Sequence, residues 1–205
     1  MAGWTEHTGY AVALPLQNVD TDQLIPARFM SNPRSEGYGR FLLHDLRRDT
    51  EGIEHPDFPL NRHQNASVLV TGQNFGCGSS REAAVYALVD AGIQAVIAPS
   101  FGDIFAGNAA NNGLLPAQVS EKTAAKLIDA LGSTSSQIHL QLETGRIDLE
   151  ELNFAFDLEP SWRTKLINGW DDIDLTLQHL PDIARHKERQ IRDHSWAWPK
   201  AGQGQ

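Results

Sequence analysis

Ala66-Ser67-Val68-Leu69-Val70-Thr71-Gly72-Gln73-Asn74-Phe75-Gly76-Cys77-Gly78-Ser79-Ser80-Arg81-Glu82 runs from an apolar, β-branched segment through a glycine-rich loop into polar residues that open a helix. Residues 66–71 have the unbroken apolar character of a strand covered on both faces. Residues 72–78 carry three glycines and read as a loop. Residues 81–91 are rich in Ala, Leu and Val, and Gly92 fits a helix stop. Residues 95–98 (AVIA) form a second buried strand, closed by Pro99. Strand, helix and strand within about 30 residues make a βαβ unit, with parallel strands and a right-handed crossover.

Working outward, residues 103–111 read as a second helix, and Leu114-Leu115-Pro116 as the start of a short strand. Residues 120–131 read as a helix with Ser120 as N-cap and Thr123 at N3, half a capping box. Residues 138–142 and 147–149 alternate around Thr144-Gly145 as in a hairpin, and 153–158 alternate as well. Upstream, residues 10–16 are a strand candidate, followed by the polar turn Gln17-Asn18-Val19-Asp20-Thr21-Asp22. Residues 30–40 (MSNPRSEGYGR) look like a mobile loop, and 49–65, with Pro56 and Pro59, like a long polar connection. Two helical stretches are expected beyond Pro160, with residues 198–205 a frayed tail. The expected organisation is one α/β domain over 1–205, its core in about 1–160 and a helical segment over about 161–197.

Composition narrows the function classes. The 205 residues are 40% hydrophobic and 21% charged, enough apolar side chain for a folded core. Seventeen basic against 26 acidic residues leave a net charge of −9, which speaks against a nucleic-acid face and against adsorption to an anionic membrane. An acidic ligand would therefore need a locally positive site. No apolar run approaches the roughly 18–20 residues of a membrane helix. The start, Met1-Ala2-Gly3-Trp4-Thr5-Glu6-His7, has neither the basic nor the apolar part of a secretory signal, so a cytoplasmic location is expected. The single cysteine, Cys77, fits a reducing compartment and cannot alone hold an iron–sulfur cluster, which takes about three or four thiolates.

The loop at 72–82 carries the chemistry. It delivers a strand to a helix N-terminus, where unpaired N–H groups and the helix dipole favour an anion. Gly76 and Gly78 allow backbone to approach a ligand, with Cys77 between them. Arg81 in the first turn is unfavourable for the dipole, and a guanidinium fork holding a carboxylate explains its presence. Known loops of related purpose do not match. A Walker A loop lacks its second glycine and its lysine, and a dinucleotide fingerprint has Arg81 in place of its third glycine. A nucleophile elbow on Cys77 lacks its glycines, having Phe75 and Ser79 instead. A plainer reading makes Ser79-x-x-Glu82 a capping box, which accounts for Glu82 but not for Gly-Cys-Gly, paired serines and Arg81 together. Cys77 is read as a small buried residue rather than a nucleophile.

Asn74-Phe75-Gly76-Cys77-Gly78-Ser79-Ser80-Arg81-Glu82 closely resembles the loop of small subunits of 3-isopropylmalate dehydratase, the aconitase-like isomerases of leucine biosynthesis. Asn18-Val19-Asp20-Thr21-Asp22-Gln23-Leu24-Ile25-Pro26 resembles the N-terminal signature of that family. Val96-Ile97-Ala98-Pro99-Ser100-Phe101-Gly102-Asp103-Ile104-Phe105, Asn112-Gly113-Leu114-Leu115-Pro116 and Ile173-Asp174-Leu175-Thr176-Leu177-Gln178-His179 extend the resemblance over nearly the whole chain. It implies a swivelling β/β/α domain like the mobile domain of aconitase. It also implies a large partner subunit carrying a four-iron (4Fe-4S) cluster, this chain binding no cofactor, and a small dicarboxylate substrate. Ser79 would be the base that removes a proton alpha to a carboxylate, with Ser80 and Arg81 on carboxylate oxygens. Ala83 stands where the family usually has histidine, and 106–111 lacks an expected bulky residue, departures that bear on the substrate.

Other residues carry weaker signals. Asp20-Thr21-Asp22 reads equally as an Asx-type turn and as part of the site mouth. Arg28 would add a second positive group for a dicarboxylate, or would be a solvated arginine. In the loop after it, Phe29 and Met30 would meet an apolar side group, and Arg34 a third carboxylate. His44, His55 and His63 lack metal-ligand spacing. Trp4, Trp162, Trp170, Trp196 and Trp198 are expected in the core or a subunit contact. Three rival functions remain at this point: a hydro-lyase subunit for citramalate, dimethylmalate or homoaconitate-type acids, a non-catalytic dicarboxylate-binding or regulatory module, and, most remote, a thiol hydrolase built on Cys77.

Overall fold

The computed structural model describes residues 2–198. By internal contacts the chain divides into two compact units, Met1–Trp170 and Asp171–Gln205. Among the described residues, the first unit holds one seven-stranded sheet: β1 (Glu6–Leu14), β2 (Ala66–Thr71), β3 (Ala95–Ala98), β4 (Leu115–Gln118), β5 (Ser135–Gln141), β6 (Arg146–Leu149) and β7 (Leu152–Ala155). Its order is β4-β3-β2-β1-β5-β6-β7, parallel from β1 through β4 and antiparallel from β1 through β7. Beyond the β7 end, Asp157 pairs with Gln118 on the opposite edge, so the sheet curls until its two margins meet. That closure covers an edge that would otherwise expose unpaired backbone.

The expected strand at 10–16 begins four residues earlier and ends at Leu14, before Pro15, which has no N–H to offer a ladder. Residues Glu6 to Gly9 pair only with β5, and β2 joins at Tyr10. Burial follows this change: the first five positions alternate or lie open, and Ala11 to Leu14 are buried on both faces.

The helices of this unit are α1 (Thr21–Leu24), α2 (His44–Arg47), α3 (Pro59–Arg62), α4 (Glu82–Asp90), α5 (Asp103–Asn111), α6 (Glu121–Leu131) and α7 (Pro160–Asn168). Alternate residues of the parallel strands serve two cores. Val12, Leu14, Leu69 and Val96 pack with Ala84, Leu88 and Phe105 of α4 and α5. Ala13, Val68, Val70 and Ile97 face the inside of the curl with Leu127 of α6, Ile138 and Leu140. Double coverage is why these strands lack an apolar–polar alternation. Ser120 caps α6 by accepting from the Thr123 N–H at 3.1 Å, the half box expected.

Two expected loops prove structured. Residues 30–40 contain short 3₁₀ turns at Arg34–Glu36 and Gly39–Phe41, and the Tyr38 hydroxyl donates to the Asn32 carbonyl at 3.1 Å. The connection at 49–65 contains α3. Among the described residues, three α-helices rather than two lie from Pro160 onward. Besides α7, the second unit holds α8 (Asp172–Leu177), with Asp171 in a full capping box, and α9 (Leu180–Asp193). Within that unit Trp196 is 84% exposed rather than packed. Of the expected tail, residues 199–205 lie outside the described residues.

Candidate active site

The loop after β2 is held by two neighbouring segments. On one side, the Gly76 N–H donates to the Val19 carbonyl at 2.7 Å, and the Thr21 N–H to the Cys77 carbonyl at 3.0 Å. Asp20 and Cys77 thus form a parallel bridge. On the other side, Phe75 N–H donates to the Ser100 carbonyl at 3.1 Å, and Gly102 N–H to the Phe75 carbonyl at 2.9 Å. The loop therefore continues the strand order β1-β2-β3 past the strand ends, at the carboxyl edge where α/β sheets bind ligands. Phe75 is fully buried and meets Phe105 and Phe101 edge-on, with centroids at 5.4 and 6.5 Å.

Gly76 shows why glycine is required. Its φ is +72°, and a Cβ there would lie 2.2 Å from the Phe105 ring. Gly78, at φ +93°, turns the chain outward and leaves Ser79 and Ser80 exposed. The Ser79 hydroxyl lies 3.4 Å from the hydroxyl of Thr21, a residue only 2% exposed. Gly76, Cys77, Gly78 and Ser79 with residues Gly102, Asp103, Ile104 and Phe105 line a pocket of about 180 Å³. That is below the 300–1,000 Å³ usual for a small-molecule site.

The capping-box reading is overturned. Helix α4 begins at Glu82, with Arg81 at the N-cap rather than in the first turn, and the Arg81 side chain makes no capping bond. Ser79 stands two residues before the cap with its hydroxyl toward Thr21. Glu82 instead accepts from the Asn112 side-chain amide at 2.9 Å. Arg81 pairs through Nη1 with Asp22, and its side chain is 24% exposed. One of its five N–H donors is thereby occupied. Cys77 is half-buried rather than fully enclosed, since it borders the pocket.

Arg28 and Arg34 are already engaged. The Arg28 guanidinium grips Asp45 with both terminal nitrogens, which holds the Asp45 carboxyl down to about 2, the Arg28 hydrogen bond being the largest cause. Arg34 donates to Asp90 at 2.7 and 2.9 Å and lies 4.4 Å over the Tyr86 ring. Arg34 thus pins residues 30–40 to the end of α4, leaving its fork unavailable to a third substrate carboxylate without breaking that pair. Phe29 stacks on Phe41 at 4.3 Å and packs against the core, whereas Met30 is 38% exposed.

Asp20 serves α1 in a capping box with Gln23, Asp22 holds Arg81, and Thr21 touches Ser79. Thr21 and Asp22 lie in the turn that reads equally as part of the site mouth, whereas the contacts of Phe101 and Phe105 with the loop have no local signal in the sequence. No group of three or more His, Cys, Asp or Glu side chains among the described residues is placed to hold a metal ion. Nor is there, among them, a helix long and apolar enough to cross a membrane.

Residues 1–122, which hold the parallel strands β1 to β4 and the glycine–serine–arginine loop, match the Aconitase C-terminal domain family, and that match defines the class of the domain. The 3-isopropylmalate dehydratase small subunit of Rhodospirillum centenum is 44% identical over 201 residues, covering 96% of this chain and 99% of that protein. That of Shouchella clausii is 41% identical over 186 residues, covering 90% and 94%. A solved 3-isopropylmalate dehydratase structure from Methanocaldococcus jannaschii superposes with a TM-score of 0.64 at 26% identity, covering 88% of this chain and 99% of that one. The chain belongs to the 3-isopropylmalate dehydratase small-subunit family.

Proposed function

We propose that this chain is the small subunit of a heteromeric hydro-lyase that interconverts 2-isopropylmalate and 3-isopropylmalate by dehydration and rehydration in leucine biosynthesis, active only with a large subunit. The observation that carries the reading is the presentation of Ser79, Ser80 and Arg81 on a loop clamped from both sides, exposed at the rim of a small open pocket. A second surface would complete such a site, as expected of one subunit of a pair. The relatives' designation as small subunits supports this division. An iron–sulfur cluster on the large subunit, the cofactor the aconitase resemblance implies, would supply Lewis-acid binding of the substrate hydroxyl and a carboxylate.

In this reading Ser79 takes the proton alpha to a carboxylate. A serine hydroxyl is a very weak acid, so Ser79 must first lose its own proton to solvent, and the alkoxide that then accepts the substrate proton needs fixed positive potential. The N-terminus of α4, the Arg81 guanidinium and a hydrogen bond from Thr21 provide it, in a place already organised before substrate arrives. Ser80 and the remaining Arg81 donors hold carboxylate oxygens. Met30 and Phe29, next to Arg28, form the segment proposed to sense the side group, and a cytoplasmic location accords with a free thiol on Cys77.

The test is Ser79→Ala in the complex reconstituted with the cognate large subunit. Turnover is expected to fall about 10²–10⁴-fold, the usual worth of a general base. Stability is expected to stay within about 0.5 kcal/mol, because Ser79 is exposed and caps nothing. Near-normal turnover would sink the assignment and favour a non-catalytic dicarboxylate-binding module. The isolated chain is expected to show no dehydratase activity and no cluster absorbance.

A further inference from the structure

At the far ends of β2 and α4 from the Ser79 loop lies a pocket of about 240 Å³, bordered by Arg40, Arg47, Arg48, Leu60, Ala91 and Ile93. Three guanidinium groups around one hollow are unexpected on a chain of net charge −9, and among the described residues no carboxylate lines it. Two of the three have acidic partners outside the hollow: Arg40 donates to Glu36 at 2.9 Å and Arg48 to Glu54 at 2.6 Å. Arg47 has none. Its Nε donates to the Asn61 side-chain oxygen at 2.7 Å and its Nη1 to the Leu42 carbonyl at 3.5 Å, both neutral acceptors.

A half-buried guanidinium that meets only neutral oxygens beside another cation is poorly compensated. Burial and the neighbouring Arg48 charge lower the Arg47 pKa, with Glu54 offsetting part of the effect. Arg48 adds a buried Nη1 that makes no hydrogen bond. Such donors are normally satisfied, and the arginine cluster as a whole is short of negative charge. The rest of the lining includes the apolar Leu60, Ala91 and Ile93, beside the polar His63 and Gln64. A Cβ on Gly39 would lie 2.5 Å from the Asp90 carbonyl oxygen, so the Arg40 turn abuts the end of α4 directly.

We propose that this hollow is a second ligand site, binding a short aliphatic carboxylate with its oxygens on Arg47, flanked by Arg40 and Arg48, and its chain against Leu60, Ala91 and Ile93. A guanidinium fork suits a planar carboxylate, and the apolar part of the lining selects against a fully hydrated anion such as phosphate. Arg81 and the Ser79 loop take no part.

The experiment is an amide NMR titration of the full chain with sodium 3-methylbutanoate at constant ionic strength, with inorganic phosphate and 3-methylbutan-1-ol as comparison probes. The amides of Leu42, Arg47 and Ile93 are expected to shift saturably with the carboxylate and to stay put with the alcohol. Phosphate should bind at least about fivefold more weakly. Arg47→Met should weaken carboxylate binding about tenfold or more, while Arg81→Lys leaves it unchanged. If Arg47→Met does not fold, Arg40→Gln on the exposed rim should weaken binding about threefold. Shifts that vanish in Arg81→Lys, phosphate binding as tight as the carboxylate, or no saturable shift of these amides would each overturn the site. So would an unchanged affinity in a folded Arg47→Met chain, or in Arg40→Gln where that variant replaces it.

Discussion

At Gly76 two constraints coincide: a backbone at φ +72° and the Phe105 ring lying where a Cβ would be. Gly76→Ala should therefore cost about 2–4 kcal/mol, from roughly 1–2 for the left-handed conformation and a similar overpacking term. Urea denaturation would read this loss, and a variant as stable as the parent would show that Phe105 moves aside freely. Thr21 tests the site differently. Thr21→Val keeps the shape but removes the only hydroxyl within hydrogen-bond reach of Ser79 among the described residues. In the reconstituted complex kcat is expected to fall about tenfold or more with little change in KM, because the bond matters most when Ser79 carries charge. Arg81→Lys should instead raise KM about tenfold, since an ammonium cannot serve Asp22 and a substrate carboxylate as a fork does. Equal losses in kcat and KM for both variants would mean that the loop had merely been disordered.

The elements around the site differ in how they are tied. Residues 30–40 are anchored through Asp90, which accepts from both Arg34 terminal nitrogens and from the Tyr38 N–H at 2.6 Å. With the Asp90 side chain only 17% exposed, Asp90→Ala should cost about 1.5–3 kcal/mol by removing charge-assisted bonds to a backbone donor and to Arg34. Thermal unfolding reads that loss, and a change below about 0.5 kcal/mol would show the anchor to be dispensable. This anchoring bears on specificity. Ser79, Ser80 and Arg81 meet groups common to all 2-hydroxy dicarboxylates, so discrimination must come from elsewhere, and one methylene is worth about 1–3 kcal/mol. Exchange of residues 29–38 with those of a relative of different preference is expected to shift the kcat/KM ratio between isopropylmalate and citramalate. An unchanged ratio in an active complex would place specificity on the large subunit.

For the molecule as a whole, acid is expected to weaken the fold through two groups. His7 on β1 accepts or donates a 2.8 Å bond with the Ser67 hydroxyl, and burial, then the charge of His139, keeps its pKa below the ordinary 6.5. The unfolded chain therefore binds a proton first as pH falls below 6.5. Stability is complete above that value and declines down to the folded pKa. Asp45, held to about 2, adds a second loss between about 3.8 and 2, small because the pair with Arg28 is exposed. Urea midpoints at pH 7.5 and 5.5 should therefore differ, and differ less in His7→Gln. An identical decrement in that variant would rule His7 out.

Local physics made much of this legible from residues in order. Double-sided burial of 66–71 and 95–98, the stop at Gly92 and the Ser120 cap follow from side-chain character within a few positions. The glycine–serine–arginine loop also stands out in order, because an arginine read in the first helical turn opposes the dipole and calls for an anion, although the structure sets Arg81 at the N-cap. Tertiary contacts decided the rest. Ser79 and Glu82 have the spacing of a capping box, but the chain at Thr21 and Asn112 offers each a different partner, so the helix begins later. Arg28 reads equally as a second positive group for a dicarboxylate and as a solvated arginine, and Arg34 as a contact for a third carboxylate; Asp45 and Asp90, 17 and 56 residues away, are the partners they meet in this structure. Spacing along the chain reports which groups can bond locally. Which bond forms is set by the competing partner that folding brings within hydrogen-bond reach, and that partner has no signature in the neighbouring sequence.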